Sequence, residues 1–188
     1  MSRELPYSNE AEQSLLGAMM IYPSVAAIAY DQGLEAKDFY LDIHKRIYTA
    51  MQDISDAGKP IDVTTLVSRL QDLEQLNLVG GADYIIKLSD TAISSANSSY
   101  YIDIIKSRAH LRRLIETAEL IAEDGFDTAS DLDEVMDKAE REILNVTKKS
   151  ASKRILNPVV MLYPNVMQEL MKLRSMEGHI TGVKTGYT

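Results

Sequence analysis

The sequence predicts an all-α protein with three parts: a small helical globule, a long antiparallel helical hairpin and a C-terminal linker helix. Apolar residues recur at helical spacing through most of the 188 residues. The one β-branched run is residues 63–65, and Asp62 in front of it is typical of a helix N-cap. The chain has no Trp and only two Phe. We therefore expect roughly six to eight helices around a core of Leu, Ile, Met and Ala, without a strand.

The longest helical pattern covers residues 98–123, which contain neither Gly nor Pro. At about 100° per residue, most of its apolar residues and one Arg lie within one wide arc around the helix axis. The arc consists of Tyr101, Ile104, Arg108, Leu111, Leu114, Ile115, Ala118, Ile121 and Ala122. A helix of about 26 residues is roughly 39 Å long. That length exceeds what a small globule needs, so part of the helix must pack on something else.

Shorter helices are predicted before it, at residues 11–21, 24–30, 41–57, 63–71 and 82–88. Asn9 and Glu12 have the spacing of a capping box, and Ser24 is placed to cap the second helix. Gly33, the Gly58-Lys59-Pro60 sequence and the Gly80-Gly81 pair interrupt the helical pattern between them. Residues 1–97 are therefore expected to form the globule.

A second long helix is expected at residues 131–146, capped by Ser130, and it would return antiparallel to the first. Leu111, Ile115 and Ala118 would then meet Val135, Ala139 and Ile143, while outer positions such as Leu120 would pair hairpins between subunits. Residues 98–147 form this hairpin. Its candidate interface residues are Ile104, Leu111, Leu114, Ile115, Leu120, Val135, Ala139 and Ile143.

Residues 148–188 read as a linker that contains one further amphipathic helix, at about residues 159–176. Pro164 falls inside this linker helix and would kink it or mark its first turn. No socket for it is evident within the preceding helices, so we expect it to dock on a partner. Its candidate docking residues are Leu162, Val166, Leu170 and Leu173. The last residues suggest a cut within a longer protein.

Charge and composition exclude several functional classes. The net charge of −8 arises from 11 basic and 19 acidic side chains in residues 1–124, 2 and 7 in residues 125–147, and 7 and 2 in residues 148–188. An acidic globule binds phosphates poorly, and the basic tail is typical of a solvated linker more than of a DNA-binding segment. No stretch is apolar enough for a membrane span or a signal peptide. The absence of Cys fits a cytoplasmic protein.

No catalytic, cofactor or metal site is predicted within these residues. His44, His110 and His179 belong to different elements, without carboxylates at ligand spacing. Residues 178–185 lack the spacing of a phosphate-binding loop. Lys106, Arg108, Arg112 and Arg113 form a basic cluster. For this cluster we favour pairing with acidic residues of the return arm (Asp133, Glu134, Asp137, Glu140) or a place at an interface over contact with DNA.

Several motifs in fixed order resemble the N-terminal domain of bacterial and phage DnaB-type replicative DNA helicases. They are LPYSNEAEQSLLGAMM, Asp38-Phe39, His44-Lys45-Arg46-Ile47-Tyr48, Lys59-Pro60-Ile61-Asp62, Val79-Gly80-Gly81-Ala82-Asp83-Tyr84, Ala96-Asn97, and Tyr101 with Ile104-Ile105. The closing ITGVKTGYT resembles the entrance to that family's RecA-like motor domain. Lys184, where the family usually has Pro, and Pro164 depart from the family pattern.

The resemblance implies a parent enzyme that is a hexameric ring and uses ATP and Mg to move 5′ to 3′ on single-stranded DNA. In that family the N-terminal domains form a collar from dimers and bind primase and, in some systems, a loader; the linker helix docks on the neighbouring subunit's motor. The parent would act in the cytoplasm of a bacterium or a phage-infected host. This chain would lack the motor and be inactive alone. The rival hypotheses are a free-standing adaptor or loader of a primosome, and a nucleic-acid-binding module.

Overall fold

In the computed structural model, which describes residues 4–92, 94–126 and 131–151, the chain is helical and none of these residues forms a strand. The helices are α1 (Asn9–Ile21), α2 (Pro23–Asp31), α3 (Asp42–Asp56), α4 (Val63–Asp72), α5 (Gly81–Asp90), α6 (Ser98–Phe126) and α7 (Leu132–Ala151). Two 3-10 turns, Ala36–Asp38 and Asn77–Val79, lie between them. The predicted all-α class is confirmed.

Helix α1 lies at the centre of the globule, where it packs against α2, α3, α5 and α6. Leu15, Leu16 and Met19 are fully buried on its inner face. Gly17 is needed for the close crossing with α5, because a Cβ at this position would lie 2.1 Å from the carbonyl oxygen of Leu88. The spacing of the apolar residues therefore defines the inner face, and one glycine allows α5 to approach it.

The start of α1 differs from the predicted capping box. Ser8 is the N-cap, and its hydroxyl accepts a hydrogen bond from the backbone N–H of Ala11 at 3.4 Å. Asn9 is the first residue of the helix, so Glu12 is displaced from the capping position and turns into the core. The expectation was wrong by one residue, because Ser and Asn are equally good caps and the local pattern cannot separate them.

Of the caps predicted for the next helices, one is absent from the structure and one is present. Pro23 is the first residue of α2, as its fixed φ allows, so Ser24 does not cap that helix. Asp62 does cap α4 as predicted: its carboxylate accepts from the Thr65 N–H at 2.8 Å, and Thr65 Oγ1 accepts from the Asp62 N–H at 3.0 Å. Gly80 and Gly81 have φ of 96° and 77°, where a side chain would be strained, and lead into α5.

Helix α6 continues to Phe126, three residues beyond the predicted end, and α7 begins at Leu132. At its start, the carboxylate of Asp131 accepts from the Asp133 N–H at 2.9 Å. Ser130, the predicted cap, and the predicted linker helix at about residues 159–176, including Pro164, lie outside the described residues.

The contacts within the chain separate two compact units, Met1–Val146 and Thr147–Thr188. The first holds α1 to α6 and most of α7, and the second lies mostly outside the described residues. The division of residues 1–147 into globule and hairpin at residue 97 remains a prediction.

Candidate assembly interface

The first half of α6 is fixed to the globule by one buried face. Ser98, Ile102, Ile105, Ala109 and Arg112 are buried, at the 4-3-4-3 spacing of a helix side. This face packs on α1, α2 and the 3-10 turn Ala36–Asp38. Beyond Arg112, no described residue of α6 is buried.

Arg112, in the middle of α6, links this helix to residues near the start of the chain. Its Nη1 donates to the carbonyl oxygen of Pro6 at 2.8 Å, and its Nη2 donates to that of Asp38 at 2.5 Å. Its guanidinium lies 5.5 Å from the centre of the Tyr40 ring, which stacks on Tyr7 at 4.4 Å. Burial lowers the pKa of Arg112 from its ordinary value. These contacts hold α6 in one direction as it leaves the globule.

The neighbouring cations also bind the globule. Arg113 Nη1 donates to the Asp38 carboxylate at 2.8 Å, and Lys106 Nζ donates to the carbonyl oxygens of Gln32 and Gly33 at 2.6 and 3.0 Å. For Arg112, Arg113 and Lys106, the expected pairing with the return arm is therefore wrong, while the alternative of a place at an interface is untested. Arg108 is the exception, since its side chain is exposed and has no ion pair among the residues described.

A buried polar network joins three helices of the globule. One carboxylate oxygen of Glu12 lies 2.6 Å from His44 Nδ1 and the other accepts from the Tyr40 N–H at 2.7 Å, while His44 Nε2 lies 2.8 Å from the Tyr84 hydroxyl. An ionised carboxylate only accepts, so in the tautomer that fits this contact Nδ1–H donates to Glu12. The network satisfies buried polar groups at the junction of α1, α3 and α5.

The sequence contains a signal for this network. Glu12 precedes Leu15, Leu16 and Met19 by three, four and seven residues, and His44 precedes Ile47 and Met51 by three and seven. Both polar residues therefore share a face with the core.

No His, Asp and Glu group suited to a metal ion is found among the described residues, and none of their helices is long and apolar enough to cross a bilayer.

The second half of α6 carries an apolar stripe that the rest of the described chain does not cover. Leu111, Leu114 and Ile115 are 39%, 42% and 36% exposed, and Leu120 on the opposite side is 59% exposed. Ile104, nearer the globule, is half-buried. On α7, Val135 and Ala139 are half-buried and Ile143 is exposed.

The residue pairing expected within the hairpin remains a prediction. Leu111, Ile115 and Ala118 are each more than a third exposed in the described chain. Helix α7 does not pack extensively on any described element. Near the tip, Lys138 Nζ contacts the Asp124 carboxylate at 2.7 Å. The two arms therefore meet near the tip through a charged contact, and Leu111, Leu114 and Ile115 of α6 stay partly exposed.

The family can now be assigned. The family described as the DnaB-like helicase N terminal domain matches residues 4–107, more than half of the chain. This chain belongs to that family. The replicative DNA helicase DnaB of Geobacillus stearothermophilus is 37% identical over 186 residues, which cover 97% of this chain and 40% of the relative. The chain thus spans about two fifths of the length of this curated relative.

One solved structure agrees with the assignment to the DnaB N-terminal family, and a second agrees with the fold. The crystal structure of the N-terminal domain of DnaB helicase from Mycobacterium tuberculosis has a TM-score of 0.72 and 33% identity, and the match covers 76% of this chain and 99% of that one. A DnaB-like replicative helicase studied with primase has a TM-score of 0.68 at 23% identity, covering 96% of this chain and 38% of the other. The second likeness supports the fold alone.

Proposed function

We propose that this chain is the N-terminal assembly and partner-binding module of a hexameric replicative DNA helicase. The family assignment favours this function over the free-standing adaptor, and the curated relative that the chain matches is itself a replicative helicase. The match to about two fifths of that relative is what an N-terminal module of a longer enzyme would give.

The uncovered apolar stripe of α6 is the observation that carries the proposal. Contiguous exposed apolar surface on a folded chain usually marks an interaction site. Here it lies on a helix that the globule holds rigidly at its base, so the stripe is presented in a defined direction. The proposed hairpin interface consists of Ile104, Leu111, Leu114, Ile115, Leu120, Val135, Ala139 and Ile143. A second copy of the chain is its proposed occupant, as the first step toward a ring.

The parent enzyme would bind ATP and Mg in a motor domain and move 5′ to 3′ along single-stranded DNA to unwind the duplex at the fork. No phosphate-binding loop occurs in the 188 residues, so the chain alone would neither hydrolyse ATP nor unwind DNA. Turnover that purifies with the chain through several preparations, and is reduced by substitutions in it, would contradict this.

Primase and a helicase loader are the proposed partner proteins. Support for primase comes from the structural neighbour, a DnaB-like replicative helicase whose structure is described together with its interactions with primase. Leu162, Val166, Leu170 and Leu173 would dock on the adjacent subunit's motor and couple the collar to it. The proposed site of action is the cytoplasm of a bacterium or an infected host.

Sedimentation of the purified chain tests the assembly interface. We expect concentration-dependent self-association that Leu114→Asp and Leu120→Asp each weaken, with helical circular dichroism unchanged because both side chains are exposed. Leu78→Asp is the matched control, since Leu78 lies in the globule and is 60% exposed, against 59% for Leu120. A wild-type chain that stays monomeric at high concentration, or hairpin variants that associate as well as the control, would overturn the proposal.

A further inference from the structure

Residues 4–8 precede the first helix and contact the middle of α6. The last residue of this segment caps α1, so the segment is joined directly to the central helix of the globule. The carbonyl oxygen of Pro6 accepts from Arg112 Nη1 at 2.8 Å. The Tyr7 ring stacks on Tyr40, with 4.4 Å between the ring centroids. We call residues 4–8 the N-terminal strap, because they connect the start of α1 to α6 without belonging to either helix.

The N-terminal strap packs on a ring that the core holds in place. The Tyr40 N–H donates to the buried carboxylate of Glu12 at 2.7 Å, which ties this residue to α1. The Tyr40 ring contacts Tyr7 and also the guanidinium of Arg112, whose central carbon lies 5.5 Å from the ring centre. Aromatic rings and guanidinium groups both interact favourably with a Tyr ring. The strap, the ring and α6 therefore form one connected set of contacts.

Arg112 lies where α6 leaves the globule, since it is the last buried residue among those that the structure describes in this helix. Residues 113–126 follow it and extend about 21 Å. A small change of angle at Arg112 therefore becomes a large displacement farther along. Residue 123 lies about 16 Å beyond Arg112, so a swing of about 15° moves it by roughly 4 Å.

The N-terminal strap is held less firmly than the core. Two of its five residues are exposed and three are half-buried, so none is buried. Chain ends with few buried contacts open locally at a lower free energy than the core does. When the strap opens, Arg112 keeps the carbonyl oxygen of Asp38 but loses that of Pro6. One side of the anchor of α6 is then missing.

We propose that the N-terminal strap is a releasable contact that sets the direction of the distal half of α6. In the closed state it fixes Arg112 between the carbonyl oxygens of Pro6 and Asp38. In the open state α6 is held by its buried face and by Asp38, and its distal half swings through a wider range of angles. Any event that draws the strap away thereby changes where the apolar stripe is presented. This inference concerns a direction within one chain and does not depend on what covers the stripe.

Spin labels test this role in the full chain. Because the chain contains no Cys, labels can be attached at introduced ones. Lys87→Cys on α5 and Glu123→Cys on the distal half of α6 both replace exposed residues. Double electron–electron resonance then gives the distribution of distances between the globule and this half of α6. Diluting the labelled chain into an excess of unlabelled chain ensures that each distance lies within one chain.

Removing the N-terminal strap should broaden or shift this distribution. Tyr7→Ala removes the stacked ring, and deletion of residues 1–7 removes the strap but keeps the cap of α1. In both we expect a change of roughly 4 Å. Tyr7→Phe keeps the ring and should match wild type. Tyr100→Ala also removes an exposed tyrosine, one that lies in the first turn of α6 and outside the strap, and this matched control should resemble wild type too.

Broadening in Tyr7→Ala and in the deletion, with Tyr7→Phe and Tyr100→Ala unchanged and helical circular dichroism retained, supports the proposal. A wild-type distribution in Tyr7→Ala would overturn it, because the buried face of α6 would then fix the direction without the strap. Equal broadening in Tyr7→Phe or Tyr100→Ala would also overturn it, since the effect would not come from the Tyr7 ring. If the deleted chain does not fold, Tyr7→Ala decides. Sedimentation of the unlabelled chain tests the assembly role separately.

Discussion

The two halves of α6 belong to one continuous helix, yet their surroundings differ completely. The first half buries Ile102, Ile105 and Ala109 in the globule, whereas the second half buries no described residue beyond Arg112. The buried face is not the apolar arc seen in the sequence, since Leu111, Leu114 and Ile115 of that arc are exposed. The helix therefore has two apolar faces. The smaller one, with Ile102, Ile105 and Ala109, packs on the globule, and the larger one is exposed.

The polar contacts of the two regions differ in the same way. The globule closes around buried hydrogen bonds of Glu12, His44 and Arg112. The distal hairpin has the partly exposed pair of Lys138 and Asp124. A region organised by buried polar contacts holds one arrangement, whereas a region with exposed stripes depends on a partner.

The largest expected effect compares a carboxylate in each region. Glu12→Ala removes the partner of His44 Nδ1 and of the Tyr40 N–H, and should lower the free energy of unfolding by about 3–5 kcal/mol. Asp124→Ala removes a partly exposed ion pair and should cost at most about 1 kcal/mol. Urea unfolding of both variants measures the difference. Equal losses would mean that the buried network does not stabilise the globule.

A smaller effect compares two helical glycines. Gly17→Ala places a methyl group against the Leu88 carbonyl and should destabilise the fold by roughly 1–3 kcal/mol, even though Ala favours the helix. Gly125→Ala meets nothing within 4 Å and should stabilise α6 by up to about 1 kcal/mol. Thermal unfolding distinguishes the two. A stabilising Gly17→Ala would show that α1 and α5 can separate at little cost.

The smallest effect concerns Tyr30, a buried polar group of the globule that is expected not to stabilise it. Its hydroxyl is buried without a hydrogen-bond partner. Burial, followed by the charge of Asp56, raises the pKa of Tyr30 to about 12; the Ser55 hydroxyl opposes the rise, although it does not reach hydrogen-bond geometry with Tyr30. At neutral pH, Tyr30→Phe should be within about 1 kcal/mol of wild type or slightly more stable.

The same substitution should change the response to alkali. With a pKa near 12 in the folded chain against about 10 when unfolded, the titration of Tyr30 costs the fold nothing below pH 10 and lowers the free energy of unfolding as the pH rises from 10 toward 12. Tyr30→Phe should therefore resist alkaline unfolding better than wild type, whereas Tyr100→Phe, at an exposed position, should not. Urea unfolding at pH 8 and pH 11 measures this. An unchanged alkaline response in Tyr30→Phe would contradict the role assigned to burial.

Local sequence determined the helices, because their signals are local. The Asp62 cap, the Gly80-Gly81 break and the uninterrupted run from residue 98 act over a few residues, and each appears in the structure within a few residues of its expected place. The two misplaced caps were also local errors: Ser8 and Asn9 are equivalent caps by residue type, and α2 begins at Pro23 without a side-chain cap from Ser24.

Tertiary structure decided which faces are buried and which charges are paired. The sequence of α6 offers Ile102 and Leu111 as equally apolar positions, but only Ile102 meets the globule. Similarly, Arg108 and Arg112 are one turn apart, and Arg112 alone reaches the carbonyl oxygens of Pro6 and Asp38. Helical periodicity predicts which residues share a side of a helix. It does not predict what packs on that side, because the contacting residue can be far away in the sequence: Pro6 and Arg112 are 106 residues apart.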